Sequence, residues 1–497
     1  METSQSAPHA SYWRQQIENA LLAPIRSMRL AYLPLLMVYF AYGATGLVGV
    51  AQSFWIKNSL TWTPAELAAL GVWFTLPWTI KMVFGELVDT VALFGSRRRS
   101  YVFAGAALVA LSFVLLAGAA GGWITFLPPD QLYVIASLIS VTGIVLQDVV
   151  ADAMSTEVVP RVNADGSPRL KQDIDHDLGM VQVLGRLALY FGIFSVAGLA
   201  GLLAQVLSYD KVFLIGLAVP LISISGALLV RLDTAEQRPI DWRILGGGLV
   251  FGAVVTLLGV TGVPFGQEII FVLSMAVVIW MLTRVTQDVD HATRMRIAFA
   301  AIIIFAFRMV PGIGDGYTWF SIDVLKFDEA FFGVLGQIGS AVGILAAWLL
   351  SDTITRKPVP QVLLWLTILG TILALPQLLL VFQAYQPLEQ TFGVGPRSIA
   401  LFDTVASAPL VQLSMIPLLT LIAVYAPPGH RATWFALMAS LMNLALTASG
   451  MLTKYLNLLF PVNRGDYHNL PLLAVIVTVV AFVVPLTVIA LLGRRVR

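Results

Sequence analysis

The chain is a succession of long apolar stretches broken by short polar joints. A membrane-crossing helix needs about 20 mainly apolar residues. Fourteen stretches of that kind can be marked, near residues 31–52, 64–91, 101–121, 131–158, 178–206, 210–231, 244–264, 267–286, 297–325, 330–352, 361–383, 398–426, 431–457 and 470–493. The pattern predicts an all-α polytopic membrane protein with its helices grouped as six, two and six. Residues 31–231 form one bundle, residues 232–296 a linker with two extra helices, and residues 297–497 a second bundle with a short tail. Residues 244–286 hold almost no polar side chains within their two stretches, so that pair is expected to be lipid-facing packing or a spacer.

Charge supports this map. The chain has 497 residues, of which 58% are hydrophobic and 12% charged, where soluble domains carry about 25% charged residues. Of the 30 Lys and Arg, 21 fall at the ends and joints on the side shared by both termini, among them Arg97, Arg98, Arg99 and Arg161. Lys57, Lys211, Lys326, Arg397 and Arg464 fall on the other side, and Lys81, Arg186, Arg308 and Lys454 lie within the stretches. The positive-inside rule then places both termini in the cytoplasm, and an odd number of crossings would break the partition. The expected setting is a bacterial inner (plasma) membrane. Residues 1–30 lack the apolar core and small-residue cleavage site of a signal peptide; residues 13–30 mix apolar and basic side chains and read as an interfacial amphipathic helix.

Composition also narrows the chemistry. A net charge of +2 gives no reason to expect a nucleic-acid partner. With no cysteine, disulfides, thiol catalysis and Cys-ligated metals are excluded. The five histidines are scattered; His176, among Asp173, Asp175 and Asp177, is the one metal-like grouping and reads as a solvated loop. No metal and no cofactor is expected. No joint carries a phosphate-cradling or nucleophile motif, so no catalytic residue is assigned and an enzyme is not expected.

The polar residues inside the apolar stretches are the informative ones. Residues 139–161, ISVTGIVLQDVVADAMSTEVVPR, carry Asp148, Asp152 and Glu157. A carboxylate in hydrocarbon costs about 3 kcal/mol or more on insertion scales, so it faces a partner or a water-filled path. Asp148 and Asp152, four apart, share one helix face. Lys81 precedes Asp89 by eight residues and Asp148 precedes Glu157 by nine, which puts both about 12–13.5 Å from the same surface. Opposite charges at one depth pair, so Lys81 is expected to meet Asp148 or Asp152, either facing a central cavity or locking two helices together.

Arg308 precedes Pro311, Gly312, Gly314 and Gly316, a run that loosens a helix and frees backbone to line a cavity. Its planar fork suits a carboxylate. It reads as a substrate-binding residue together with Asp315, seven residues on and on nearly the same face; the alternative is an Arg308–Asp315 brace. Lys81 and Arg186 are further substrate-binding candidates; Arg186 could instead pair with Asp148 or Asp152. Asp403, with Asp148 and Asp152, is a candidate for a proton path, or else a helix N-terminal acid. Asp89, Arg97, Arg98, Arg99, Glu157 and Arg161 gather at the cytoplasmic ends as a gate network, where the basic residues also set topology.

Several motifs carry a family likeness. Pro77-Trp78-Thr79-Ile80-Lys81, followed by Gly85, Asp89, Phe94-Gly95 and Arg97-Arg98-Arg99, resembles the PWxxKPxxGxxSD…FGxRRRPY region of folate–biopterin transporters of the major facilitator superfamily. Residues 148–157, DVVADAMSTE, resemble that family's DVxxDAxVxE segment, and residues 426–450, APPGHRATWFALMASLMNLALTASG, its CPPGxExTLFALLMSxxNxG block. Residues 311–333 resemble its seventh helix, and Asp403 and Gln412 fit the helix before the last block. A short internal echo, Asp89-Thr90 against Asp352-Thr353 before basic residues, fits parallel six-helix repeats. The chain departs from the pattern at Ala426 (Cys in the family), at Ser100 (Pro), at Thr318-Trp319-Phe320 and in the two extra helices.

The resemblance implies a major facilitator fold and alternating access around a midplane site. It implies folate or pterin anions as cargo; the intramembrane carboxylates favour uptake with protons, exchange and facilitated diffusion being the alternatives, and a monomer in membrane lipid is expected. The glutamyl tail of a folate would suit Arg308. The same fold carrying other cargo (muropeptide-like or pigment-related) and a non-transporting assembly factor are the alternatives.

Overall fold

A computed structural model describes residues 28–163, 165–229, 240, 242–261, 263–287, 289–355, 359–414, 418 and 431–496. Most of the predicted interfacial helix, and residues 419–430 at the start of the 426–450 motif, lie outside the described residues, as do the side chains of Asp175, His176, Asp352 and Gln412.

The first bundle runs through α1 (Leu33–Ala44), α2 (Gly49–Ser59), α3 (Pro64–Thr79), α4 (Lys81–Thr90), α5 (Arg99–Ala120), α6 (Pro129–Glu157), α7 (Lys171–Val206), α8 (Tyr209–Ile215) and α9 (Ala218–Leu229). The extra pair is α10 (Trp242–Thr261) and α11 (Gly266–Val285). The remainder comprises α12 (His291–Arg308), α13 (Asp315–Asp323), α14 (Glu329–Thr355), α15 (Val359–Ile372), α16 (Leu375–Val381), α17 (Gln386–Phe392), α18 (Pro396–Leu413), α19 (Arg431–Leu459) and α20 (Leu470–Leu492). The described residues hold no named strand, only isolated bridges in turns.

Helices occupy the described part of every predicted stretch, but several stretches are jointed. Ten helical spans among the described residues are long and apolar enough to cross a membrane. The others are shorter (Leu245–Gly259), broken, more polar or only partly described. The stretch 297–325 is two helices because Pro311 has no N–H to give and Gly314 takes φ 86°. Residues 171–177, read as loop, instead form the first turns of α7, held by ion pairs from Arg29 (3.1 Å) and Arg169 (3.0 Å) to Asp177.

Local capping starts the helices where the sequence directs. Thr63 and Glu66 form a reciprocal capping box before Pro64, with Glu66 N–H donating to Thr63 Oγ1 at 3.3 Å and Thr63 N–H to Glu66 at 2.8 Å. Asp290 accepts from the Thr293 N–H at 2.9 Å ahead of α12, a bond that holds its carboxyl below the usual range. Asp328 does the same for Phe331 ahead of α14 at 2.8 Å.

Small residues set how closely the helices cross. Added Cβ atoms at Gly43 and Gly192 would fall 2.0 Å from Leu189 O and 2.2 Å from Phe40 O, so α1 and α7 touch backbone to backbone. At Gly185 an added Cβ would meet the Tyr39 ring at 2.8 Å. These glycines press Tyr39 of α1 into the bundle. Gly201 and Gly333 bring α7 and α14 equally close, since an added Cβ on Gly201 would fall 2.6 Å from Gly333 Cα.

Candidate functional site

Helix α3 ends at Thr79, two residues after Pro77, and α4 restarts at Lys81. The joint turns the Lys81 side chain toward α6. There its ammonium lies 2.5 Å from a carboxylate oxygen of Asp148 and 2.5 Å from one of Asp152. The depth argument from sequence thus meets a real contact, made with both acids of the stripe. Tyr39 donates its hydroxyl to the second oxygen of Asp152 at 2.6 Å. Tyr42 stacks on Trp78 beside them, ring centres 5.9 Å apart.

The two acids are not equivalent. The Asp148 side chain is 9% exposed, Lys81 31% and Asp152 43%. Asp148 is therefore the buried anchor, while Asp152 and part of Lys81 remain reachable. Arg186, on α7, is exposed and forms no ion pair among the described residues. Lys81 holds the carboxylates for which Arg186 was a rival partner.

A second group surrounds the break after α12. Arg308 is the last residue of α12, and Asp315 opens α13 after six non-helical residues. The freed backbone is taken up by a polar ladder on α19. Ser449 donates to Val310 O at 2.6 Å, Gly312 N–H donates to Thr453 Oγ1 at 2.9 Å, and Asn457 donates to Ile313 O at 3.0 Å. Sequence reading missed this ladder, although its spacing of four residues in an apolar helix was visible. Asp315 forms no ion pair among the described residues, so it does not brace Arg308. Asp403 is half-buried on α18. Neither Asp315 nor Asp403 is joined to the Lys81 cluster by an ion pair among the described residues.

The six residues assigned to a gate divide. Arg98 is 5% exposed and central: it donates to both oxygens of Glu157 (2.5 and 3.0 Å), to Asp89 at 2.8 Å and to Val88 O at 3.1 Å. Arg97 reaches the Asp89 carbonyl at 3.3 Å. Arg99 instead lies over the Phe103 ring at 5.5 Å, and Arg161 is exposed. The Arg98 network ties α4, α5 and α6 to one another, all within the first bundle.

Polar bonds between the helices before residue 230 and those after residue 290 lie elsewhere. At the opposite end, Lys57 pairs with Asp323 at 2.5 Å, and Tyr467 donates to the other Asp323 oxygen. Arg464, in the turn before α20, donates to the carbonyls of Ile56 (3.1 Å), Lys57 (2.7 Å), Leu60 (2.8 Å) and Trp62 (2.9 Å). It thereby caps the C-terminal end of α2 from the far side of the molecule. Midway, Thr75 meets Thr447 at 3.0 Å and Asn443 donates to Trp78 O at 3.3 Å. From sequence, Arg464 read only as one of the few basic residues on its side.

Comparison with known proteins agrees with this architecture. A folate-biopterin transporter of Synechocystis sp. (strain ATCC 27184 / PCC 6803 / Kazusa) is 26% identical over 476 residues, covering 96% of this chain and 84% of the relative. Probable folate-biopterin transporter 2 of Arabidopsis thaliana is 24% identical, covering 98% and 89%. Folate transporter 1 of Plasmodium falciparum (isolate 3D7) is 20% identical, covering 88% and 75%. Among solved structures, a POT family transporter in complex with a thioalcohol-conjugated peptide aligns with a TM-score of 0.66 at 14% identity, over 95% of this chain and all of the other. The xylose transporter XylE from E. coli, inward open, aligns with a TM-score of 0.54 at 14% identity, over 92% and 95%. At such identities these structures establish the fold alone, that of the major facilitator superfamily. A sequence model of the BT1 family matches residues 43–497, and with transporters rather than enzymes as its relatives, the chain belongs to the BT1 family of folate–biopterin transporters.

Proposed function

We propose that this protein carries folate or pterin anions across a membrane together with protons, by alternating access. The observation that carries the reading is Lys81 held between Asp148 and Asp152, with Asp152 open and Asp148 buried. An incoming carboxylate competes with these acids for the ammonium. Once a substrate carboxylate takes Lys81, an intramembrane Asp loses its counter-ion, and a lone carboxylate in such a place binds a proton. Substrate and proton then enter as a neutralised set. Arg308 supplies a fork for a second carboxylate, with Arg186 beside the cluster and Asp315 across the path. Asp403 is a further proton carrier. The names of the relatives support the cargo.

The moving bodies are residues 31–231 and 297–493, joined by the linker 232–296, with fourteen crossings and both termini cytoplasmic in a bacterial inner membrane. The protein acts as a monomer. The bonds of Arg464 and Lys57 then close the outer side, and the Arg98 network is the part of the cytoplasmic gate that the first bundle keeps to itself in this state. Arg97, Arg99 and Arg161 exchange partners when the cytoplasmic ends approach.

The test is uptake of labelled folate and 5-formyltetrahydrofolate into proteoliposomes, with and without an inward proton gradient. Gradient-driven uptake is expected. Uptake indifferent to the gradient would remove the proton coupling, and no uptake by folded protein would remove the cargo.

A further inference from the structure

Two apolar cavities lie around the extra helices, away from the charge cluster. One, of about 440 Å³, is walled by α10 and α11 on one side and by α4 and α19 on the other, and reaches Thr79 and Ile80 at the α3–α4 joint. Lys81, Asp148 and Asp152 do not line it. The other, of about 470 Å³, lies between α10 and α11. They meet at Gly247, Phe251, Val277 and Trp280. The shape is a forked apolar slot that opens beside an extra helix pair.

The charged groups beside the slot sit at one end. Arg243 lines its mouth. One turn beyond the Trp280 wall, Arg284 lies over the Trp280 ring at 4.9 Å. Trp242 is exposed beside Arg243. Paired tryptophans and arginines at the end of membrane helices mark the headgroup layer. Apolar arms with a basic mouth are complementary to two acyl chains below a negative phosphate. We infer that this slot binds one anionic diacyl phospholipid, its chains in the two arms and its phosphate at Arg243 and Arg284. The inference does not depend on the cargo.

The site has a built-in control. Gly247 lines both arms, and a Cβ placed there would meet nothing within 4 Å. A large side chain at this helical position fills the slot without pushing on the backbone. Ser274 also lines the first arm; it is buried with its hydroxyl unbonded, about 15 Å deeper than Arg284 along α11. An acyl chain has nothing to offer it at that depth.

The experiment is native mass spectrometry of the purified full chain after incubation with equal amounts of phosphatidylglycerol and phosphatidylcholine. The expected result is one retained lipid, with phosphatidylglycerol preferred by about fivefold per arginine and so about 30-fold in all. Arg243→Gln with Arg284→Gln brings the two lipids to near parity, Gly247→Phe loses both, and Ser274→Ala retains lipid unchanged. Melting curves report that the variants are folded; the arginine pair lies at the surface and keeps the test open if Gly247→Phe does not fold. Retention unchanged in folded Gly247→Phe, no preference in the parent protein, or a preference that survives the double arginine change would overturn the site. Loss of lipid in Ser274→Ala would overturn it too, pointing to an occupant with a polar group in mid-slot.

Discussion

Lys57 and Asp323 pair at 2.5 Å across a separation of 266 residues, joining the end of α2 to the end of α13. Arg464 reinforces the pair from above, its guanidinium 4.2 Å over the Trp319 ring while it donates to four carbonyls. A guanidinium spread over four carbonyls is a releasable cap, because water can replace it at each one. Hydrogen bonds to a charged group contribute about 1.5–3 kcal/mol, so Arg464→Ala is expected to raise the population open at this end by about 10- to 100-fold. The cysteine-free chain makes this measurable. Thr447→Cys, buried against Thr75, should react with an impermeant maleimide far faster in the Arg464→Ala background. Equal labelling rates would show that Arg464 does not hold this end shut.

Lys81 with Asp148 and Asp152 separates a working site from a structural lock. Removing Lys81 alone leaves two carboxylates without their counter-ion, and breaking a buried pair costs about 3–5 kcal/mol, less here on the open Asp152 side. Lys81→Met is therefore expected to melt earlier than Lys81→Met combined with Asp148→Asn. Uptake decides the role. If the cluster binds cargo and proton, neither variant transports; recovery of uptake in the combined variant alongside recovery of stability would make the cluster a lock only.

Arg308 is expected to act through its fork rather than its charge. Truncating an arginine that meets a carboxylate costs about 2–5 kcal/mol, or about 30-fold to several-thousand-fold in affinity. Arg308→Ala should raise the KM for folate by at least the lower figure, and Arg308→Lys should recover only part of it, because an ammonium cannot bond two oxygens in the same plane. A pterin lacking the glutamyl tail should be affected much less. Equal losses for both compounds would place the Arg308 contribution in the helix end and not in tail recognition.

What could be read from sequence was what charge and depth constrain. Lys81, Asp148 and Asp152 were legible because residue counts from one surface fix depth in a helix, and unlike charges at one depth in hydrocarbon pair. Arg98 was legible as part of a set, but that Arg98 is the arginine that holds both Glu157 and Asp89 depends on how α4, α5 and α6 converge. Arg464 was not legible. Its acceptors are backbone carbonyls of Ile56, Lys57, Leu60 and Trp62, which carry no side-chain signature. The joints after Thr79 and Arg308 follow from Pro77 and Pro311, yet which helix satisfies the freed groups is a tertiary fact. Residues 171–177 read as loop because they are polar; they form the first turns of α7, where Asp177 pairs with Arg29 and Arg169.

Gly314 and Asn457 meet where the broken helix crosses α19. Gly314 takes φ 86°, where a side chain costs about 1–2 kcal/mol. A Cβ there would also lie 3.2 Å from Asn457 Nδ2. Asn457 is 2% exposed and bonds Ile313 O, so Asn457→Ala strands a buried carbonyl at about 1–3 kcal/mol. Gly314→Ala and Asn457→Ala should each lower the melting temperature and slow uptake, since each disturbs the segment that runs from Arg308 to Asp315. The two changes touch, so they should not add. Asn457→Ala clears the space that the new methyl group of Gly314→Ala would enter, leaving only the backbone strain of the glycine change. The double variant is therefore expected to be less destabilised than the sum of the singles. Strict additivity in a thermal double-mutant cycle would show that the amide does not set the path of the broken helix.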